Sequence, residues 1–285
     1  MREPHTVTVL GAGTMGAGIA QACASGGHAV TVVDRQPEAL ERCGATIDAS
    51  LERLLRKGSI ATEAATATRE RVRTSTDLAA ALDGTDVVIE AVYEDLAVKQ
   101  DLWRAVDEHS RPDALLATNT SSLSVTEIAQ VLRHPERFCG LHFFNPVPVL
   151  PLVEVVRAEH TSATTLDEAV AFVSGIGKTP IVCGDTPGFI VNRLLIPYVN
   201  DAIHALGEGV ARAVDIDTAM KLGANLPMGP LALADLIGLD VTLAVIESLH
   251  RETADPRFRP APRLRQLVRA GKLGRKSGEG FHRYE

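Results

Sequence analysis

The sequence predicts an α/β fold, a largely parallel sheet covered by helices on both faces, followed by an all-α C-terminal domain. Three observations lead there. Short apolar runs alternate with helix-like segments through most of the chain. Those runs are apolar almost continuously, as expected of strands buried on both faces. Past the turn-rich stretch Cys183-Gly184-Asp185-Thr186-Pro187-Gly188 only helical patterns follow, so the domain boundary is placed there, giving residues 1–185 and 186–285.

Taken in order, His5 to Leu10 reads as a strand and Met15 to Gly26 as a helix. A second strand, Ala29 to Val33, ends at Asp34. Glu38 to Arg56 is a long amphipathic helix, because Leu40, Ile47, Leu51, Leu54 and Leu55 fall on one broad face. Val72 to Ser75 is a candidate short strand. Asp86 to Ala91 is a strand followed by a helix over Leu96 to His109, and Leu115 to Thr118 is a strand followed by a helix over Val125 to Leu132. Phe138 to Phe143 is the next strand, followed by a Pro-rich turn. Leu152 to Val156 and Thr179 to Val182 are two more, with a helix over Leu166 to Ile176 between them. In the C-terminal part, Phe189 to Leu206 is apolar nearly all round, with Pro197 expected to kink it. Such a helix must be covered on every side, which points to a homodimer formed through the C-terminal domain.

Composition narrows the function classes. The 285 residues are 45% hydrophobic and 23% charged, ordinary for a globular protein, and the formal net charge is −7. That charge argues against nucleic acid as the main partner, since phosphate binding needs a basic face. The four cysteines are scattered without a CxxC pair, so zinc is not expected and buried, reduced thiols are. No apolar run reaches the ~20 residues that span a bilayer, and the N-terminus lacks a signal h-region; no membrane partner and a cytoplasmic location are expected.

Gly11-Ala12-Gly13-Thr14-Met15-Gly16 joins the first strand to the first helix. A lone GxGxxG is a weak signal, but here the strand–turn–helix context that gives it meaning is present. Gly11 permits the tight turn, Gly13 lets the backbone approach a pyrophosphate, and Gly16 lets the helix pack on the strand. The helix N-terminus, beginning at Thr14 and Met15, offers N–H groups to the phosphates. Asp34, about 20 residues on, is placed to accept hydrogen bonds from the adenosine ribose. A carboxylate there repels a 2′-phosphate, so the first domain reads as Rossmann-type and the cofactor as NAD rather than NADP, a choice that the adjacent Arg35 can soften.

His142 lies at the C-terminal end of its strand, where open α/β sheets bind ligands, and a histidine there can exchange a proton near neutral pH. In Leu152-Val153-Glu154-Val155-Val156 the face carrying Glu154 is otherwise apolar. A carboxylate in that setting is costly without a partner. The turn Asn145-Pro146-Val147-Pro148 can fold this strand back and bring Glu154 to the imidazole; an exposed edge-strand glutamate with a core histidine is the alternative. Asn119-Thr120-Ser121-Ser122 follows another strand and can line the same crevice, while Ser124 with Glu127 makes a capping box. Asn192 is a polar residue early in an apolar helix and needs partners.

At these residues the sequence resembles the 3-hydroxyacyl-CoA dehydrogenase family, particularly its stand-alone bacterial 3-hydroxybutyryl-CoA dehydrogenase members. The stretches that carry the resemblance are GAGTMGAGIA from Gly11, IEAVYED from Ile89, TNTSSL from Thr118, GLHFFNPVPV from Gly140, LVEVV from Leu152, DTPGFIVNRLL from Asp185, GPLALADLIGLD from Gly229 and GRKSGEGF from Gly274. The resemblance implies an NAD-dependent oxidation of a 3-hydroxyacyl-CoA thioester, with His142 and Glu154 as the catalytic dyad and Ser121 and Asn192 contacting substrate. It further implies that Asn119, Glu94 and Lys99 belong to the cofactor site, that Asn145 lies near nicotinamide and substrate, and that Ser50 and Lys57 meet the coenzyme A moiety. Pro151 departs from the lysine frequent in short-chain members. A dehydrogenase of a free hydroxy or sugar acid, gulonate-like, and a non-catalytic, crystallin-like NAD-binding protein are the rival readings.

Overall fold

The computed structural model describes residues 5–284, which divide into two compact units between Asp185 and Thr186. In the first unit, β1 (Thr6–Leu10) leads into α1 (Thr14–Ser25), β2 (Ala29–Val33), α2 (Pro37–Arg56), α3 (Thr62–Glu70) and β3 (Val72–Ser75). The chain continues through α4 (Leu78–Leu82), β4 (Val87–Glu90), α5 (Leu96–His109), β5 (Leu115–Thr118) and α6 (Val125–Ala129). It closes with β6 (Phe138–Phe143), β7 (Leu152–Arg157), α7 (Ala163–Gly175) and β8 (Thr179–Gly184).

These strands form one eight-stranded sheet in the order β3-β2-β1-β4-β5-β6-β7-β8. The first six run parallel; β7 runs antiparallel to β6, and β8 parallel to β7. The chain moves outward one way from β1 and returns to its other side with β4, so the order reverses between these two strands, where open α/β sheets open a ligand crevice. The strands owe their burial to Val7, Val9, Val30, Val32, Ile89, Leu116, Ala117 and Leu141, all 0 or 1% exposed. Burying such side chains stabilises by about 1.5–3 kcal/mol each for the larger ones.

Two helices escape the sequence reading. In α3 only Ala65 and Thr68 are buried, so its alanines and threonines draw no apolar stripe. α4 is held by a cap, Asp77 accepting the Ala80 N–H at 3.0 Å, rather than by periodicity. The expected helix to Leu132 stops at Ala129, and α7 starts earlier than expected because Ser162 accepts the Thr165 N–H at 3.1 Å. Cys23, Cys43 and Cys139 are buried, whereas Cys183 is only half-buried, on the edge strand β8.

The second unit is wholly helical apart from turns and two isolated bridges: α8 (Val191–Gly207), α9 (Ala213–Gly223), α10 (Pro230–Ile237), α11 (Leu239–Thr253) and α12 (Pro262–Arg269). Phe189 has φ +50°, so α8 begins after it rather than with it. α8 buries Ile196, Val199, Asn200 and Ile203, one stripe at helical spacing, against Leu231, Leu239, Ile246 and Leu264. The helix is therefore not covered all round within this chain, and Leu194 is 68% exposed. No described helix is long and apolar enough to cross a membrane.

Candidate active site

The nucleotide turn is built on close approach. Gly11 takes φ +102°, and a Cβ on Gly16 would sit 1.9 Å from the Gly11 carbonyl oxygen, so neither position accepts a side chain without moving backbone. At Gly13 a Cβ would meet nothing within 4 Å, leaving open space over the turn. Thr14 is exposed at the head of α1, and Met15 packs partly into the core. Asp34 follows β2 and ties the turn together: Oδ2 accepts the Ala12 N–H at 2.9 Å and Oδ1 the Gln36 N–H at 3.0 Å. A cavity of about 530 Å³ opens here, with Gly11, Asp34, Arg35, Leu78, Val92 and Val98 among its walls. It is large and apolar enough for an adenosine. The sequence alone gives Leu78, Val92 and Val98 no role. The signal for Val98 was its place on the amphipathic α5; nothing local marks Leu78.

His142 and Glu154 are register partners across the antiparallel β6–β7 pair. That pairing puts their side chains on the same face, and His142 Nδ1 lies 2.6 Å from Glu154 Oε2. Glu154 is fully buried and His142 nearly so, at 6%. β7 lies between β6 and β8, so Glu154 is not on a sheet edge. The hairpin is fixed at two further points. Asn119 Oδ1 accepts the Phe143 N–H at 2.9 Å, holding the end of β6 to the segment after β5. Lys178 donates from Nζ to the Val147 carbonyl at 2.5 Å and the Leu150 carbonyl at 2.8 Å, clasping the turn between β6 and β7. Asn145, in a cis peptide with Pro146, is exposed on that turn.

Glu94 gathers the loop after β5. Its Oε1 accepts from the Thr120 hydroxyl at 2.6 Å, the Ser121 N–H at 2.9 Å and the Ser122 N–H at 3.1 Å. Burial pushes the Glu94 carboxyl up, but the Lys99 ammonium, the Thr120 hydroxyl and the Ser121 N–H outweigh it and hold it below the usual carboxylate range. Lys99 Nζ lies 3.2 Å from Glu94 Oε2 and 2.5 Å from Glu90 Oε1, with its side chain 1% exposed. Glu90 is fully buried, and the sequence alone gives it no role. A glutamate ending the apolar run Val87-Val88-Ile89 was the available signal.

Ser124 Oγ accepts the Glu127 N–H at 3.2 Å, as the capping motif requires, and donates to Asp185 Oδ2 at 2.8 Å. Asp185 also accepts the Val125 and Thr126 N–H groups at 3.0 and 2.7 Å, so the last residue of the first unit is latched to the start of α6. Ser50 is half-buried on α2 and Lys57 exposed at its C-cap, about two turns apart and so on one side of the helix. Asn192 is half-buried in the first turn of α8, in the second unit. Among the described residues no group of three or more His, Cys, Asp or Glu could hold a metal.

Known proteins match this chain from end to end. The mitochondrial hydroxyacyl-coenzyme A dehydrogenase of Homo sapiens is 45% identical over 285 residues, covering 98% of this chain and 91% of that one. The 3-hydroxybutyryl-CoA dehydrogenase of Clostridioides difficile is 45% identical over 278 residues, covering 98% and 99%. The crystal structure of (S)-3-hydroxybutyryl-CoA dehydrogenase from Ralstonia eutropha superposes with a TM-score of 0.95 at 46% identity, covering 99% of this chain and all of that one. Residues 6–186 match the 3-hydroxyacyl-CoA dehydrogenase NAD-binding domain, and residues 188–284 the C-terminal domain of the same family. This chain belongs to the 3-hydroxyacyl-CoA dehydrogenase family.

Proposed function

We propose that this chain interconverts a 3-hydroxyacyl-CoA and its 3-oxoacyl-CoA, with 3-hydroxybutyryl-CoA and acetoacetyl-CoA as the substrate pair, using NAD. The observation that carries the reading is the enclosed 2.6 Å contact between His142 Nδ1 and Glu154 Oε2 at the C-terminal end of β6. The open space over Gly13, the Asp34 carboxylate and the adjoining cavity fit a dinucleotide. Bound there, NAD supplies the hydride acceptor. The remaining chemistry is a proton transfer. With Nδ1 engaged by Glu154, the imidazole takes the 3-hydroxyl proton at Nε2, and the buried carboxylate fixes the tautomer and stabilises the imidazolium. Ser121 and, on the family resemblance, Asn192 hold the reacting oxygen and the thioester carbonyl. Asn119, Asn145 and Glu94 belong to the nicotinamide side of the site, and Ser50 and Lys57 to the coenzyme A side.

The exposed Leu194, Val210 and Leu222, at 68, 70 and 82%, support a homodimer formed through the helical unit. Sedimentation at micromolar concentration is expected to give a dimer, and a stable monomer would refute it. The unpaired cysteines suit the reducing cytoplasm. The test of function is NADH oxidation with acetoacetyl-CoA beside free acetoacetate. Turnover of the thioester only, inhibited by free coenzyme A, is expected; turnover of the free acid instead would favour a hydroxy-acid dehydrogenase, and none with either a non-catalytic protein.

A further inference from the structure

Lys99 is an expensive residue. It sits in the first turn of α5, where the helix dipole disfavours a cation, and its side chain is 1% exposed. A buried ammonium is retained only where anions compensate it. Here two do, Glu90 at 2.5 Å and Glu94 at 3.2 Å. Glu90, the last residue of β4, is itself saturated: Oε1 also accepts the Val92 N–H at 2.8 Å, and Oε2 accepts the Thr118 hydroxyl from the end of β5 at 2.7 Å. Glu94 then receives Thr120, Ser121 and Ser122. The result is a continuous chain of charge-assisted bonds from the ends of β4 and β5, through one ammonium, to the loop that carries Ser121.

We infer that Glu90 is a positioning residue for the reaction, acting through Lys99 and Glu94 on the Thr120–Ser122 loop. The inference rests on the functional reading above for its effect on turnover, and on geometry alone for its effect on the loop. Glu90 is fully buried, and its carboxylate meets Lys99, the Val92 N–H and the Thr118 hydroxyl. Its carboxylate balances Lys99, so that the ammonium is shared between two acids instead of being drawn wholly onto Glu94. Replacing Glu90 by Gln keeps the shape and removes that balance. Lys99 then moves toward Glu94 Oε2, the carboxylate turns with it, and the Ser121 and Ser122 amides lose the acceptor that sets their geometry. On this view Lys99 serves the cofactor site from behind Glu94.

The test combines amide exchange with a double-mutant cycle. In Glu90→Gln the Ser121 and Ser122 amides should exchange on the order of tenfold faster than in the parent protein, while β1 and β2 amides stay protected. Reduction of acetoacetyl-CoA should slow about tenfold in Glu90→Gln, and Glu90→Gln with Ser121→Ala should be no slower than the worse single variant, because both changes act through one loop. Unchanged exchange at Ser121 and Ser122, or losses that multiply in the double variant, would overturn the inference. If Glu90→Gln does not fold, Glu90→Asp keeps the charge and shortens its reach to Lys99; faster exchange at the Ser121 and Ser122 amides supports the inference and parent-like exchange overturns it. Absence of turnover in the parent protein would instead sink the functional reading, leaving the exchange data to decide the role of Glu90.

Discussion

At the scale of single residues, the structure turns on a few groups whose burial forces partnership. Glu154 is the clearest. A carboxylate flanked on its own strand face by Leu152 and Val156 announces in sequence that it must meet something, and the register delivers His142. Asp34 was legible too, because strand end and acid follow the glycine turn at fixed spacing. Substituting Asp34 by Asn should weaken discrimination against NADPH at least several-fold, read as the ratio of kcat/KM for NADH and NADPH; an unchanged ratio would remove Asp34 from cofactor choice. Lys99 was not legible as a buried residue, since a lysine near a helix start reads as solvated unless both acids are already placed. The thiols make a separate prediction. Burial pushes Cys23 and Cys139 up to about 12 and Cys43 to about 11, and Cys183 also rises to about 12, first through burial and then through Glu154 and Asp185. Little thiolate exists at pH 8, so a thiol-disulfide reagent should label the native protein far more slowly than the denatured one. Rapid labelling of the native protein would contradict this burial.

At the scale of elements, periodicity found the strands and long helices, and missed what side-chain caps and tertiary packing create. α3 and α4 lack leucine stripes and exist because they pack on α1 and α2 or are capped by Asp77. The β6–β7 hairpin could be anticipated only because a Pro-rich turn separates two strand-like runs. What pins that turn, the Lys178 ammonium on two carbonyls, lies outside both strands and left no local signal. Lys178→Met should lower kcat, because it removes the donor shared by the Val147 and Leu150 carbonyls and loosens the hairpin that holds the dyad. The paired measurements are kcat and Tm, and a large Tm loss with unchanged kcat would make Lys178 purely structural. In the nucleotide turn, Gly16→Ala cannot be accommodated without moving the Gly11 backbone. Dinucleotide affinity should fall by more than tenfold (more than about 1.4 kcal/mol), measured by NADH fluorescence titration; parent-like affinity would contradict the close approach.

At the scale of the whole molecule, fold class and cofactor domain were readable because they rest on repeated local signals, whereas assembly depends on surfaces that a sequence does not orient. Acid stability belongs to this scale as well. Burial, and then His5, lowers the His28 pKa below its ordinary value, so His28 contributes fully above about pH 6.5 and that contribution is lost as pH falls through its lowered value. Asp107 follows at lower pH: burial raises its carboxyl, but bonds from Arg133 and Arg137 win and hold it low. Its contribution is present above about pH 4 and disappears as pH falls through the depressed value. Tm should therefore decline in two stages on acidification, and His28→Gln should remove the upper one; a flat profile from pH 7 to 5 in the parent protein would contradict the first. All of this frames one imidazole beside one buried acid. The most direct test is the turnover of His142→Gln with acetoacetyl-CoA, with NADH affinity measured alongside. If the imidazole moves the proton, kcat falls by about 10²–10⁴-fold while NADH binding stays within a few-fold of the parent; a variant that keeps the parent's kcat would show that the proton travels elsewhere.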